Sequence, residues 1–113
     1  MPVSGGLPAL KARARGLHVT TAGRRTLLRF RLDRGARRVT TRIWRRVRHP
    51  GAQPTWTPVG PLRVIAATPG ARAVLLSSAR LRPEIYQVRV GVVSAGGVAV
   101  TVLRYRVLRA PGR

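Results

Sequence analysis

The chain has 113 residues, enough for one domain with a single core, and it carries a formal net charge of +21 from 23 basic residues and two acids. The absence of cysteine excludes disulfides, thiolate metal sites and cysteine nucleophiles. Apolar residues make up 44% of the chain, close to the globular norm, which favours a folded domain over a disordered one.

The excess of basic residues has two interpretations. An anionic partner would offset the self-repulsion of so much like charge, and nucleic acid, an acidic glycan, a phosphate-rich wall polymer or an acidic protein surface would all serve. Alternatively, the composition reflects a GC-rich genome, because every basic residue except Lys11 is Arg and the chain has no Asn. Codon bias explains Arg over Lys but not the scarcity of Asp and Glu, so both interpretations stay open.

The N-terminal stretch MPVSGGLPALKARARG (1–16) shows no sustained period and predicts a flexible basic arm. It lacks the basic stretch followed by an apolar stretch that marks a secretory signal. No segment has the roughly 20 consecutive apolar residues of a membrane-spanning helix, so no membrane insertion is expected. The protein is then cytosolic, exported by another route, part of a particle, or a domain of a longer exported chain.

Alternation of apolar and polar residues begins at Leu17 and predicts strands along the rest of the chain. In TLLRFRL (26–32), for example, Leu28 and Phe30 fall on one face while Arg29 and Arg31 fall on the other. The same pattern, interrupted by turn residues, predicts strands at 17–19, 26–32, 39–47, 62–67, 73–81, 85–93 and 98–108.

Two stretches depart from this pattern. Residues 48–61 contain four prolines and two glycines, which predicts a long loop or an irregular edge. In the last strand the apolar phase shifts between Val102 and Leu103, which predicts a β-bulge or a bend.

About seven short strands with turns between them and no helical period predict an all-β fold, an antiparallel β-sandwich over residues 17–109. Residues 110–113 are then a short C-terminal tail. No repeat of 20–50 residues is evident, so the chain is expected to hold one module.

Three stretches, LLRFRLDRGARRV (27–39), ATPGARAVLL (67–76) and LRPEIYQVRV (81–90), resemble the immunoglobulin-like or fibronectin type III-like modules of cell-surface and secreted proteins from high-GC bacteria. The resemblance covers roughly 17–109. It implies an Ig-like or fibronectin type III-like sandwich, a non-catalytic spacer or adhesion role, and an extracellular, cell-surface or particle-associated location.

The most specific element of the resemblance is Leu81-x-Pro83-x-x-Tyr86. In such sandwiches it is similar to a tyrosine corner, in which the phenol bonds the backbone just upstream and holds a cross-over loop. Glu84 stands where the family usually has Gly, and it is expected to neutralise a nearby Arg.

Few side chains in the sequence could take part in catalysis. Asp33 and Glu84 both lie beside turns, which favours turn and salt-bridge roles over acid–base chemistry. His18 and His49 are too few to build a zinc site, and no serine has a nucleophile-elbow context. We therefore expect no enzyme activity, no metal and no cofactor.

The basic surface is the main candidate for function. In a sandwich of this type the third, sixth and seventh strands share a sheet. Its outer face would carry the candidate residues for an anionic partner: Arg42, Trp44, Arg46, Arg89, Arg104 and Arg106. An anion bridging the guanidinium groups would relieve their repulsion, and Trp44 could stack on an arginine or on a base. Equally, Trp44 could pack under arginine stems with the charge solvated.

These observations predict a non-catalytic structural or interaction module that makes protein–protein or surface and particle assembly contacts, with a basic face for an anionic partner. The partner would be another protein or an acidic surface polymer, and the module could belong to a larger assembly. The alternative is a basic protein that binds nucleic acid non-specifically through charge. Against it, the arginines follow strand alternation, and no nucleic-acid-binding motif is present.

Overall fold

The computed structural model describes residues 10–78 and 80–108. These residues form seven strands and no helix: β1 (Ala14–Ala22), β2 (Arg25–Leu32), β3 (Ala36–His49), β4 (Ala52–Ile65), β5 (Gly70–Ser77), β6 (Ile85–Ser94) and β7 (Gly97–Arg106). The predicted arm up to residue 9 and the predicted tail lie outside the described residues.

The strands form two antiparallel sheets. The order is β1-β2-β5 in the three-stranded sheet and β4-β3-β6-β7 in the four-stranded sheet. The prediction of an all-β, antiparallel architecture of about seven strands is confirmed, and the third, sixth and seventh strands do share a sheet. Cross-over connections join the sheets, so two of the five strand pairs, β2 with β5 and β3 with β6, join strands that are distant in sequence.

Period-two alternation explains the core between the two sheets. In β2, Leu28, Phe30 and Leu32 are buried while the arginines between them are exposed. In β6, the even-numbered valines from Val88 to Val92 have no exposed surface. Burying an aliphatic or aromatic side chain of this size stabilises the fold by about 1.5–3 kcal/mol, so strand alternation both drives folding and directs the arginines outward.

Residues 52–65 form one long edge strand, β4, where a loop or irregular edge and a separate strand at 62–67 were predicted. The prolines fit because β4 has a neighbour on one side only, so the missing N–H can face away from the sheet. A bulge separates its two halves: Thr41 lies opposite Arg63, but Ile43 lies opposite Val59. Gly60, within the bulge, has a φ of 78°, a conformation that favours glycine.

The bulge predicted between Val102 and Leu103 does not form, because the register of β7 with β6 is unbroken from Gly97 to Arg106. The apolar phase shifts because the strand is apolar on both faces. Ala99 is buried on the inner face, whereas Val98 and Val100 are more than half exposed on the outer one. The sequence pattern alone cannot distinguish a strand that is apolar on both faces from a strand in which a bulge moves the apolar residues to the other face.

The predicted boundary after residue 16 falls inside β1, which begins at Ala14. Ala12 and Ala14 are buried in the core, and the Ala12 amide donates to the Ser94 hydroxyl oxygen. Small side chains fit this position, where the segment closes the gap between the sheets next to β7. The segment from Ala12 to Ala14 is therefore packed against the domain, whereas Leu10 is 90% exposed.

Asp33 anchors this same segment. Its carboxylate accepts hydrogen bonds from the Arg15 guanidinium and from the Arg13 amide, and its own amide donates to the Arg13 carbonyl. The bond from Arg15, followed by that from Arg13, lowers the pKa of Asp33 below its usual range. Asp33 thus ties the start of β1 to the turn after β2.

The tyrosine corner has the geometry expected of it. The Tyr86 hydroxyl donates to the Arg82 carbonyl at 2.9 Å, and Leu81 packs against the core while Pro83 is exposed. The Tyr86 ring stacks on Tyr105, with centroids 5.8 Å apart. The Tyr105 hydroxyl is buried and has no hydrogen-bond partner among the described residues, and burial raises the pKa of Tyr105.

We expect Tyr86→Phe to lower the free energy of unfolding by about 0.5–1.5 kcal/mol, because the variant loses one side chain to backbone hydrogen bond. Tyr105→Phe is the matched control: it keeps the stacked ring and removes a buried hydroxyl without a partner, so its stability should be unchanged or slightly higher. Urea unfolding of both variants measures this difference. Equal losses would contradict the role assigned to the corner.

Candidate binding surface

The register places all six candidate residues on the outer face of the four-stranded sheet. Residues opposite each other in an antiparallel pair point to the same side. Arg42 lies opposite Arg89, and Gln87 lies between Trp44 and Arg104. We call the outer arginine face the following set: Arg42, Trp44, Arg46, Trp56, Gln87, Arg89, Arg104 and Arg106.

Trp44 contacts both of the arginines that face each other. The guanidinium carbon of Arg89 lies 4.0 Å from the ring centroid and that of Arg42 lies 5.6 Å from it. Arg89 also donates to the Gln87 side-chain oxygen at 2.6 Å, and Arg42 donates to the Gly60 carbonyl at 3.1 Å. Directly opposed like charges repel, and these cation–π contacts and hydrogen bonds offset that repulsion.

Trp56 belongs to the same face. The sequence pattern did not place it there, because residues 48–61 predicted a long loop or an irregular edge. It lies opposite Arg46 on β4, and the guanidinium carbon of Arg104 is 5.4 Å from its ring centroid. One sequence feature does indicate a strand here: Pro54, Trp56 and Pro58 alternate with two exposed threonines, as side chains on opposite faces of a strand do.

The long side chains of the outer arginine face lie flat against the sheet and cover their neighbours. Gln87 is only 5% exposed although it belongs to the outer face, so its neighbours cover it. Trp44 is half-buried, and its indole N–H is buried without an acceptor among the described residues. Trp44 therefore packs under arginine side chains, and the ring face covered by Arg89 is not free to stack on a base.

Arg46 and Arg106 do not take part in the cation–π contacts of Trp44 and Trp56, and they lie at the end of the sheet. They line a groove of about 610 Å³ between the ends of β3 and β7 and the segment that precedes β6. We call it the end groove, and its basic residues are Arg45, Arg46, Arg48, Arg82 and Arg106. The structure thus divides the predicted residues between a cation–π stack and a separate groove.

Few carboxylates neutralise these arginines. The salt bridges of the described residues are Arg15 with Asp33 and Arg45 with Glu84, the second at 3.4 Å. The expectation that Glu84 neutralises a nearby arginine is confirmed. Since Asp33 and Glu84 are the only acidic side chains of the sequence, the remaining arginines of the face and of the groove have none within the chain.

The other half of the outer sheet face is mainly apolar, although Arg38 lies on it opposite Val93. Large side chains there are between 37% and 59% exposed: Leu62, Val64, Val93, Val98, Val100 and Val102. They border the outer arginine face because Val102 lies opposite Arg89. The four-stranded sheet therefore presents a cationic half and an apolar half side by side.

The two carboxylates lie too far apart to act as a catalytic pair. Asp33 precedes Ala36, which lies opposite Ser94, whereas Glu84 is beside Tyr86, which lies opposite Arg45. Nine residues of strand separate these positions along β3, a distance of about 30 Å. In residues 10–78 and 80–108 no group of three or more His, Cys, Asp or Glu side chains could hold a metal ion.

A search of the described residues for a helix of the length and apolarity needed to cross a membrane finds none. Comparison with protein-family models, curated proteins and solved structures gives no significant match to this chain. The resemblance to immunoglobulin-like modules rests on the stretches quoted from the sequence.

We expect Trp44→Leu to lower the free energy of unfolding by about 1–2 kcal/mol, because two guanidinium contacts are lost and the repulsion between Arg42 and Arg89 is no longer offset by the ring. Trp56→Leu removes a single guanidinium contact on an edge strand, so the free energy of unfolding should fall by less than about 1 kcal/mol. Urea unfolding followed by the fluorescence of the remaining tryptophan compares them. A smaller loss for Trp44→Leu would contradict the stack.

Proposed function

We propose that the chain is a non-catalytic interaction module of the Ig-like or fibronectin type III-like kind, whose basic face binds an anionic partner in surface or particle assembly. Immunoglobulin sandwiches place strands C, F and G in one sheet, and the variable type adds C′ to it. The order β4-β3-β6-β7 matches C′-C-F-G, and Tyr86 lies at the start of the strand that corresponds to F. These features support the assignment.

The observation that carries the proposal is a contiguous set of arginines held in place on a sheet without carboxylates to neutralise them. Arg42, Arg89 and Arg104 are each positioned by a tryptophan, so their guanidinium groups lose less conformational entropy when an anion binds. Guanidinium groups bind carboxylate and phosphate through paired hydrogen bonds. A partner that supplies such groups would neutralise a charge that the fold leaves uncompensated.

Non-specific binding of nucleic acid is the second candidate, and the net charge of +21 favours it. Charge alone drives such binding, and its affinity falls steeply with salt. Base stacking would add salt-resistant affinity, but Trp44 is half-buried under arginine side chains. The covered ring favours a partner recognised through oxyanions over one recognised through bases.

The test compares Arg89→Glu/Arg104→Glu with the control Arg29→Glu/Arg31→Glu, which has the same net charge but is altered on the exposed face of β2. Fluorescence anisotropy measures binding of labelled polyglutamate and of single-stranded DNA at about 150 mM salt. We expect the first variant to lose polyglutamate binding by about tenfold more than the control. DNA binding should fall equally in both, since it follows net charge.

Retained polyglutamate affinity in Arg89→Glu/Arg104→Glu would overturn the basic-face proposal. A salt-resistant preference for DNA that only this variant loses would establish the nucleic-acid alternative. Circular dichroism and urea unfolding of both variants show whether any loss comes from unfolding.

A further inference from the structure

The end groove combines charge and apolar surface in a way that the rest of the arginine-rich surface does not. Three of its arginines come from the end of β3, one precedes β6 and one ends β7. Between them the lining is apolar, formed by Val47, Pro83, Ile85, Val107 and Leu108. A ligand seated here would meet guanidinium groups and aliphatic side chains together.

The charge of the groove is largely uncompensated within the described residues. Its one carboxylate, Glu84, forms an ion pair with Arg45 at 3.4 Å. Arg48, Arg82 and Arg106 are exposed and have no carboxylate partner there. Together with Arg46, these residues place four guanidinium groups, unpaired among the described residues, around one concave surface. The groups repel each other, and an anionic ligand would relieve this repulsion.

The backbone around the groove is held in place. The Tyr86 hydroxyl bonds the carbonyl of Arg82, which fixes the segment that carries this arginine. The Val107 amide donates to the Glu84 carbonyl at 3.0 Å and so extends the pairing of β6 with β7 to the groove. The tyrosine corner therefore positions a basic residue of the groove in addition to closing a cross-over loop.

We infer that the end groove binds an acidic peptide segment of the partner that carries apolar side chains between its carboxylates. The inference rests on the proposed function and names the partner class for this part of the surface. Carboxylates would pair with the exposed arginines, and an apolar side chain would be buried against Ile85 and Val107. A phosphate polymer offers nothing for the apolar lining, which is why a peptide fits better.

The test uses two labelled peptides of equal length and charge, one alternating Glu with Leu and one alternating Glu with Ser. Fluorescence anisotropy at about 150 mM salt compares them on the wild-type chain. We expect the Glu/Leu peptide to bind about tenfold more tightly, since it alone has apolar side chains to bury. Equal affinities would overturn the inference, and so would displacement of the Glu/Leu peptide by tripolyphosphate at an equal concentration of charge.

Variants locate the site. Arg48→Ser/Arg82→Ser removes two groove arginines, and Arg34→Ser/Arg37→Ser removes two exposed arginines near the opposite end of β3. We expect the Glu/Leu peptide to lose about tenfold or more in affinity with the first variant and less than about threefold with the second. Similar losses in both would show that net charge alone drives binding.

Amide chemical shifts of the wild-type chain give a readout that does not depend on variant folding. Addition of the Glu/Leu peptide should shift the amide signals of Arg82, Glu84, Ile85 and residues 106–108. Shifts centred on Arg42, Arg89 and Arg104 would overturn the groove site while leaving the proposed function intact. Shifts at neither place, together with retained polyglutamate affinity in Arg89→Glu/Arg104→Glu, would overturn both.

Discussion

Repulsion among arginines is the constraint on which the arrangement of this chain depends. With a net charge of +21, the fold is stabilised where its strands direct apolar residues into one core and arginines away from it. Strand alternation does this in β2 and β6. Where arginines then meet on the outer face, Trp44 stands beside the opposed pair Arg42 and Arg89, and a cation–π contact offsets part of their repulsion.

Much of the fold could be predicted from the sequence, because burial imposes period two on a strand wherever one face is apolar and the other polar. That pattern located β2, β3 and β6 within a few residues, and Asp33 was placed correctly beside the turn between two of them. It failed where other effects decide. An edge strand tolerates proline, so residues 48–61 predicted a loop or an irregular edge instead of part of one long edge strand. An outer face rich in valine predicted a bulge or a bend in β7 that does not form, and alanines at 12 and 14 gave no sign of burial.

The candidate surface was predictable only in part, for a related reason. Parity along three strands placed Arg42, Trp44 and Arg89 on one face, but Trp56 depends on the register of β4, which its bulge at Gly60 displaces. The end groove gathers residues from three separate segments, and no local pattern shows that Arg48, Arg82 and Arg106 come together. Topology, not composition, turns a uniformly basic chain into a surface with a cation–π stack, an apolar half and a groove.

The central claim is that this surface holds uncompensated arginines in places where specific anions bind. Urea unfolding in low concentrations of sodium citrate and of sodium chloride, at matched ionic strength, tests it most directly. If citrate binds the native state, the free energy of unfolding should rise with the logarithm of citrate concentration and exceed the value in chloride. If screening alone relieves the repulsion, the citrate and chloride data will fall on one curve when plotted against ionic strength, and the claim is contradicted.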